Sequence, residues 1–436
     1  MRVATRITLA TGVALVSLPS FADYPYPFEN AYLATISGTP EPFRADIPDT
    51  RVVERQLRSR PDFTRTRRVP PSLPYPDRLK YSVLLQKSAA PLTVIVAGTG
   101  SDHRSGSVLA LMRALHAAGH HTLGLPSPTH PAFITAASST GVPGAMQTDA
   151  SDLLRVLGQA VDELQAEGTT ITNYNLTGYS LGALNAAFMA HATTGGRTTG
   201  AQPMPLSFRR VLLINSPVSL YSSISKLDRF LENVPGGVDN LDQLFSEVIE
   251  RLSAAYQRSS NVEFTQELIY GAFEGRKPSQ EDMAALIGAV FRFSAMNLTF
   301  SADLVTDFGF LKPKEQRLGR RADHGPYLAV ALRVGLTDYF HEFFWPEHQR
   351  LGTPYGADRF TFADAQSLHG LRDFLSSDLR VYAVHNRDDV ILEAGEIDFF
   401  EPVFGNRVRL FPRGGHLGNL TEAEFMAEVV RVLTGG

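Results

Sequence analysis

The sequence predicts an α/β fold in which a mostly parallel central sheet is flanked by helices. Short apolar runs alternate with amphipathic helical patterns in residues 80–215 and again in residues 379–436, which is typical of such a sheet. A serine in a glycine-rich turn, Ser180, follows one predicted strand, and candidate acid and base residues follow two others. Functional groups at the ends of strands are characteristic of open parallel sheets.

The first 22 residues have the pattern of a secretory leader. Arg2 and Arg6 supply a basic start, residues 7–18 are apolar, and Ser20-Phe21-Ala22 forms a small-x-small cleavage site. The apolar run is shorter than a transmembrane helix needs, although an uncleaved N-terminal anchor helix is the alternative. We therefore expect an exported protein that is periplasmic or secreted.

The composition excludes several classes of function. Removing Arg2 and Arg6 with the leader leaves 39 of the 41 basic residues against 45 acidic ones, a net charge of −6. This balance does not indicate a nucleic-acid-binding protein. The chain has no cysteine, so disulfides, thiolate catalysis and cysteine-ligated metals are excluded. We expect no metal, no cofactor and no transmembrane segment beyond the leader.

Residues 23–79 form a proline-rich N-terminal arm. Prolines at positions 70, 71, 74 and 76 directly follow a basic run at residues 55–68. A short basic run followed by prolines predicts a solvated arm that packs over the main domain. A phosphate-binding role for the arginines is the alternative.

Residues 80–218 form the first part of the predicted core. The predicted strands are 81–86, 92–97, 121–125, 169–177 and 210–215. The run 92–97 is almost wholly apolar, which predicts a strand in the centre of the sheet. Residues 149–167 have the period of an amphipathic helix and lead into the strand before Ser180.

Residues 219–377 are predicted to be a helical cap insertion, because they contain few convincing strands. The best helical pattern covers residues 240–256, and a second helix begins with a capping-box pattern at Ser279 and Asp282. Residues 339–348 are crowded with aromatic side chains. We expect these to pack the insertion against the sheet domain; the alternative is that they line an apolar substrate pocket.

The alternation resumes in residues 378–436, the second part of the core. The predicted strand 379–384 leads to the pair Asp388-Asp389, and the predicted strand 407–411 leads to Gly414-Gly415-His416. A closing helix follows.

The segment Gly178-Tyr179-Ser180-Leu181-Gly182 fits the pattern G-x-S-x-G. In this pattern the serine occupies a strained turn between a strand and a helix, and its hydroxyl projects clear of the sheet. Glycine is needed two residues to either side because a side chain there would collide with neighbouring backbone. The N–H of Leu181 opens the helix and is left unpaired. The alternative is a glycine-rich turn whose serine takes no part in chemistry.

Three residues form a candidate constellation with this serine at its centre. Ser180, Asp389 (or Asp388) and His416 each follow the carboxyl end of a predicted strand, and such ends meet at one edge of a parallel sheet. A serine nucleophile needs a base near neutral pH, and the base needs an acid that orients it and stabilises its charged form.

These motifs resemble those of esterase/lipase-like serine hydrolases with the α/β-hydrolase fold, in which a helical cap is inserted between core strands 6 and 7. The similarity covers residues 80–215 and 379–436 and includes the order Ser, Asp, His. It implies a triad of Ser180, His416 and Asp389.

The resemblance also bears on the choice between the two aspartates. In the family the acid usually lies in a turn of the form G-x-x-D-x-x-V, and residues 386–392 fit this form with Asn386 in the glycine position. The substitution is tolerable because asparagine accepts left-handed conformations. This favours Asp389 and leaves Asp388 as the alternative acid.

The oxyanion hole that the resemblance implies consists of two backbone amides. One is the N–H of Leu181, and the other is the N–H of Thr99, in the loop after Ala97. Ala97 replaces the histidine of the family's His-Gly-x segment, which costs little because the donor belongs to the backbone.

From these observations we expect a serine hydrolase that cleaves carboxylic esters through an acyl-enzyme. The predicted cap suggests a small-molecule substrate with an apolar acyl or aromatic part. An acyltransferase that uses the same acyl-enzyme is the alternative, and peptidase or amidase activity is a variant of the same triad. A non-catalytic binding protein on this fold is the second alternative.

Overall fold

A computed structural model describes residues 24–62, 69–75, 77–194, 207–232, 279–352 and 358–435. The predicted leader and the predicted helix at residues 240–256 lie outside the described residues, as does the second half of the basic run.

The described residues contain one sheet of eight strands. The strands are β1 Val53–Gln56, β2 Lys80–Leu84, β3 Ala90–Val96, β4 His121–Leu125, β5 Ile171–Tyr179, β6 Phe208–Ile214, β7 Val381–Asn386 and β8 Val408–Phe411. Their order across the sheet is β1-β2-β4-β3-β5-β6-β7-β8. Strand β2 is antiparallel to both of its neighbours, and β4, β3, β5, β6, β7 and β8 run parallel. The predicted mostly parallel sheet is confirmed.

The α-helices flank this sheet and fill the connections between its strands. They are α1 Ala31–Ser37, α2 Gly106–Ala117, α3 Pro131–Ala136, α4 Met146–Ala166, α5 Leu181–Ala192, α6 Leu220–Arg229, α7 Gln280–Thr306, α8 Gly325–Arg333, α9 Leu336–Asp338, α10 Trp345–Arg350, α11 Arg359–Ala365, α12 Arg372–Ser377, α13 Phe400–Phe404 and α14 Ala423–Thr434. A π-helical turn, Tyr339–Phe344, joins α9 to α10.

Both faces of the sheet are covered, as the apolar strands require. Val94 and Val96 of β3 belong to the buried cluster formed with α4 and α5, whereas Ile95 belongs to the cluster formed with α2 and α14. Successive side chains of a strand point to opposite faces. A strand that is buried on both sides therefore has to be apolar at consecutive positions, which is the pattern that predicted β3.

The arm contributes a strand that the sequence analysis did not assign. Strand β1 pairs antiparallel with β2, with Val53 opposite Val83 and Gln56 opposite Lys80. Its sequence Val-Glu-Arg-Gln has no alternation of apolar and polar residues, and three of its four residues are exposed. An edge strand of this kind is stabilised mainly by backbone hydrogen bonds. Its side-chain pattern therefore did not predict a strand. Arg55 of β1 also forms an ion pair with Glu167, which directly follows α4.

Every regular element in the described residues between β6 and β7 is helical. The longest is α7, which begins with the predicted capping box: Asp282 N donates to Ser279 Oγ at 3.1 Å, and Ser279 N donates to Asp282 Oδ2 at 2.8 Å. That these helices form one cap with the boundaries 219–377 stays a prediction.

Helix α7 is the one described helix that is long and apolar enough to cross a membrane by length and composition. The sequence analysis expected no such segment, because it recognised the start of this helix but not its 27-residue length. In the most apolar stretch of α7, 67% of the residues are buried inside the protein. Burial of this extent is also found in helices at the centre of a folded chain.

Candidate active site

The carboxyl ends of four neighbouring strands lie at one edge of the sheet. Tyr179 at the end of β5 pairs with Ile214 of β6, and Ile214 pairs with Val384 of β7. Asn386 at the end of β7 pairs with Phe411 of β8. The residues that follow these strands therefore meet above the same edge, as the sequence analysis expected.

Ser180 occupies the turn between β5 and α5 with φ 54° and ψ −129°. A non-glycine residue in this region is strained, at a cost of about 1–3 kcal/mol. The glycines on either side permit the turn, since a Cβ on Gly178 would lie 2.2 Å from the carbonyl oxygen of Gly182. A Cβ on Gly182 would lie 2.2 Å from the carbonyl oxygen of Val96. The segment 178–182 thus has the backbone geometry predicted from its pattern.

The structure brings Ser180, His416 and Asp389 into one hydrogen-bonded chain. His416 Nε2 lies 2.9 Å from Ser180 Oγ, and His416 Nδ1 lies 3.0 Å and 3.1 Å from the two carboxylate oxygens of Asp389. All three residues are buried, with exposed fractions of 6%, 7% and 6%. The carboxylate favours the tautomer with the proton on Nδ1, which leaves the lone pair of Nε2 facing the serine hydroxyl.

Asp389 is held in its ionised form by its neighbours. Burial disfavours the charged carboxylate, but the adjacent His416 imidazole and several hydrogen-bond donors outweigh this, so the pKa of Asp389 lies below its ordinary value. Asn215 Nδ2 donates to Asp389 Oδ2 at 2.7 Å, and Ile391 N donates to Oδ1 at 3.1 Å. Asn215 directly follows β6, and the sequence analysis missed its role. Its position at the end of a predicted strand was the available signal.

Asp388, the alternative acid, faces the backbone of the histidine loop, which we define as residues 413–418. Its carboxylate accepts hydrogen bonds from Gly414 N at 3.1 Å and from Gly415 N at 2.9 Å. Burial raises the pKa of Asp388 despite these two bonds. The two adjacent aspartates therefore do different things: Asp389 contacts the imidazole of His416, and Asp388 supports the loop that carries it.

The sequence analysis explained Asn386 by the tolerance of asparagine for left-handed conformations, and this explanation was wrong. Asn386 is the last residue of β7 and is not among the residues with positive φ. Its side chain instead donates to Gly415 O at 2.8 Å and accepts from Asn419 Nδ2 at 2.8 Å. Asparagine at this position thus ties the end of β7 to the histidine loop, which glycine could not do.

The N-terminal arm packs directly under the histidine loop. His416 N donates to Thr35 Oγ1 of α1 at 2.9 Å, across 381 positions of sequence. A Cβ on Gly415 would lie 2.2 Å from Ala31 O, and a Cβ on Gly418 would lie 2.1 Å from Ala34 O. Helix α1 therefore contributes to positioning His416. The sequence analysis missed Thr35, because nothing near it in the chain indicates what it contacts.

Leu181 and Thr99 border the same cavity as Ser180. Leu181 is the first residue of α5, so its N–H has no partner within the helix. Among the described residues, neither its N–H nor that of Thr99 makes a hydrogen bond. The loop around Thr99 is held on both sides, since Ala97 N donates to Leu125 O at 3.1 Å and Gly100 N donates to Thr129 Oγ1 at 2.8 Å. These two free donors are the pair that the sequence analysis named.

The cavity is lined mainly by apolar side chains from α6, α7, α11 and the π-helical turn. Its aromatic members are Tyr221, Phe291, Tyr339, Phe340, Phe344 and Phe362. Tyr339, Phe340 and Phe344 of the aromatic run border the cavity. The hydroxyl of Tyr339 also contacts the first part of the core, since it donates to Pro143 O at 3.0 Å. Phe343 packs within the predicted insertion, against Phe308, with ring centroids 4.7 Å apart.

Comparisons with known proteins match solved structures only. No protein-family model and no curated protein sequence matches the chain. The chain is similar to the thioesterase domain from the curacin biosynthetic pathway, with 12% identity over 88% of this chain and 100% of that chain and a TM-score of 0.36. It is also similar to esterase B from Lactobacillus rhamnosis, with 13% identity over 90% of this chain and 87% of that chain and a TM-score of 0.42.

An esterase from Pyrococcus furiosus is similar at 9% identity over 90% of this chain and 98% of that chain, with a TM-score of 0.39. The assignment of the fold comes from the chain's own geometry. Three features are those of the α/β-hydrolase fold. They are the strand order, the position of the antiparallel strand β2 between β4 and its edge partner β1, and the serine turn after β5.

Proposed function

We propose that the protein is a serine hydrolase that cleaves carboxylic esters through an acyl-enzyme. The observation that carries this proposal is the hydrogen-bonded chain from Ser180 through His416 to Asp389, which begins at an apolar cavity. The backbone strain at Ser180 supports it as well, because strain of this kind persists where the surrounding structure requires it, often at functional sites.

In the first half of the reaction, Ser180 Oγ attacks the acyl carbon of the ester while His416 Nε2 accepts its proton. The negative charge that develops on the carbonyl oxygen is stabilised by the free N–H groups of Leu181 and Thr99. Asp389 stabilises the imidazolium. The tetrahedral intermediate collapses as His416 returns the proton to the leaving oxygen, and the alcohol departs.

In the second half, water attacks the acyl-enzyme. His416 takes a proton from the water, the same two N–H groups hold the oxyanion, and the carboxylic acid leaves as Ser180 regains its proton. No step requires a group beyond these residues, the ester and water.

The cavity supports a substrate with an apolar acyl or aromatic part. Its aromatic and aliphatic lining favours hydrocarbon surface, which gains roughly 25 cal/mol per Å² on leaving water. A small-molecule ester whose apolar part occupies this cavity would place its carbonyl at Ser180.

The test is hydrolysis of p-nitrophenyl esters of increasing acyl length by the purified protein, combined with labelling by a fluorophosphonate probe. Ser180→Ala should abolish labelling and lower kcat by at least about 10³-fold. The adjacent aspartates offer a matched pair. Asp389→Asn should lower kcat by about 10²–10⁴-fold because it disturbs the tautomer of His416, whereas Asp388→Asn should act mainly on stability.

Hydrolysis that persists in Ser180→Ala at the wild-type rate would contradict the proposal. Adding primary alcohols as competing acceptors separates hydrolysis from acyl transfer, which shares the acyl-enzyme. Free carboxylic acid as the main product would support a hydrolase, and a new ester of the added alcohol as the main product would support an acyltransferase.

Export belongs to the same proposal. The leader pattern predicts that a mature chain begins at Asp23. Sequencing the N-terminus of protein expressed with its full sequence tests this, and a mature chain that retains residues 1–22 would contradict it.

A further inference from the structure

Two residues that line the apolar cavity each carry a buried polar side-chain group with no hydrogen-bond partner among the described residues. These groups are the side-chain amide nitrogen of Gln366 and the hydroxyl of Ser223. Both residues border the cavity and are buried, with exposed fractions of 2% and 3%. A buried polar group without a partner is costly, so in most folded proteins such groups are paired.

The orientation of the Gln366 amide is determined by its other end. Gln366 Oε1 accepts a hydrogen bond from Met146 N at 2.8 Å. Met146 is the first residue of α4, and its N-cap residue is Ala145, which has no side chain that could accept this bond. The carbonyl of Gln366 therefore satisfies the start of α4. Since oxygen must be the accepting atom, the NH₂ group is the unpaired donor.

Ser223 differs from the other serines of its helix. Ser222 Oγ donates to Ser219 O at 3.0 Å, and Ser225 Oγ donates to Tyr221 O at 2.8 Å. These are the usual internal bonds of serine in a helix. The hydroxyl of Ser223 makes no such bond. Of these three serines, Ser223 is the one that borders the cavity.

Three other hydroxyl groups on residues that border the cavity are already engaged. The hydroxyl of Tyr339 donates to Pro143 O at 3.0 Å, and the hydroxyl of Tyr221 is 2.9 Å from His341 Nε2. The hydroxyl of Thr129 is bonded to Gly100 N and to the hydroxyl of Ser127. Gln366 and Ser223 thus each retain an unpaired donor, whereas these three hydroxyl groups do not.

We propose that the apolar part of the substrate carries a second oxygen acceptor, a ketone, ether or further ester oxygen, which accepts a hydrogen bond from Gln366 Nε2. Ser223 Oγ supplies a supplementary donor. This inference rests on the proposed function and narrows its substrate class from simple alkyl esters to esters with an oxygenated apolar part. A site that holds an unpaired donor rejects an analogue without the acceptor more strongly than a purely apolar site does.

The experiment compares esters in pairs of equal length that differ only by CH₂ or C=O at one position. One series places the ketone at successive positions of the acyl chain of p-nitrophenyl esters, and the other places it in the alcohol of butyrate esters. We expect at least about a tenfold higher kcat/KM for the ketone at one position of one series. The series that shows the preference identifies which side of the ester occupies the cavity.

Gln366→Leu should remove that preference. This variant also removes the acceptor for Met146 N, so the informative quantity is the ratio of kcat/KM between the two members of a pair, in which a general structural loss cancels. Gln147→Leu is the matched control. It breaks another hydrogen bond between the start of α4 and the end of α11, from Gln147 Nε2 to Ala365 O at 3.2 Å. Gln147 does not border the cavity. Its ratio should equal that of the wild type.

The possible failures are distinguishable. Equal rates for both members of every pair would overturn the inference and leave the ester hydrolase intact. A ratio that is unchanged in Gln366→Leu would overturn the assignment of the donor. If no ester is hydrolysed in a Ser180-dependent way, the proposed function fails, and calorimetric binding of the paired ketone and alkyl carboxylic acids to Ser180→Ala still tests the inference. Equal affinities there would overturn it.

Discussion

The serine turn and the histidine loop both depend on glycine, but for different reasons. In the serine turn, residues 178–182, the glycines make room for backbone of the core itself: Gly178 faces Gly182, and Gly182 faces Val96. In the histidine loop, Gly415 and Gly418 make room for helix α1 of the arm. Ser180 is therefore positioned by a short local motif packed on the neighbouring strand. His416 is positioned by a helix from a distant part of the chain.

The largest expected effect comes from blocking the serine turn. In Gly182→Ala the new Cβ would lie 2.2 Å from the carbonyl oxygen of Val96, so backbone has to move beside both Ser180 and the Thr99 loop. We expect kcat to fall by about 10²-fold or more, because misplacement by about 1 Å has that effect. Ester hydrolysis and circular dichroism measure it.

Gly106→Ala is the control for this variant. Gly106 is the first residue of α2, and a Cβ added to it would meet nothing within 4 Å. The stability of this variant should be unchanged or raised by up to about 1 kcal/mol. Equal activity in the two variants would show that space at Gly182 is not what the serine turn requires.

The next prediction separates two reasons for glycine at position 415: contact with helix α1 of the arm, and a positive φ in the loop backbone. Gly415 and Gly405 share a φ of 56°, but a Cβ on Gly415 would meet Ala31 O at 2.2 Å, and a Cβ on Gly405 would meet nothing within 4 Å. Both alanine variants incur the cost of placing a non-glycine residue at this positive φ, about 1–3 kcal/mol. We expect only Gly415→Ala to lower kcat, by about tenfold to 10²-fold.

Thermal unfolding and ester hydrolysis of these two variants check the comparison. Equal losses of activity would show that the arm does not position His416, and that the strained backbone alone accounts for the need for glycine.

A smaller effect is expected from one hydrogen bond between the arm and the loop. Thr35→Val removes the acceptor of His416 N while retaining the branched shape of the side chain. An unpaired buried N–H costs about 1–3 kcal/mol, and we expect kcat to fall by about tenfold with little change in KM. Thr35→Ser retains the hydroxyl and should restore kcat. A loss in both variants would indicate a packing role for Thr35 instead.

The smallest effect concerns the pH dependence of stability. The folded pKa of Asp389 is below its ordinary value, so its contribution to stability is present above the unfolded carboxyl pKa, about 3.9, and is lost as pH falls towards the folded pKa. Wild-type protein should therefore lose more stability than Asp389→Asn on acidification below about pH 4. Thermal unfolding at a series of pH values measures this, and parallel curves would contradict it.

The sequence predicted the features whose signals lie close together in the chain. Consecutive apolar residues predicted β3, the glycine spacing predicted the turn at Ser180, and the parallel character of the sheet followed from the alternation of strands with helices. Strand ends then suggested where Asp389 and His416 meet Ser180, and the distances in the structure agree with that arrangement.

What the sequence did not predict depends on contacts between distant segments. Strand β1 is polar and exposed, so only its backbone pairing with β2 defines it. Thr35 acquires its importance from His416, and Asn215 from Asp389, and neither has an unusual local pattern. Gln366 became conspicuous only when one end of its amide was found bonded to Met146 and the other end unpaired.

The contact between Thr35 and His416 also has a consequence for protein synthesis. The two residues are 381 positions apart, so at about 5–20 residues per second the ribosome needs about 20–75 s to add His416 after Thr35. Throughout that interval a nascent chain carries neither His416 nor the rest of the histidine loop, which α1 contacts through Thr35. Under the proposed function, the newborn polypeptide is inert towards cellular esters until translation of this last loop is complete.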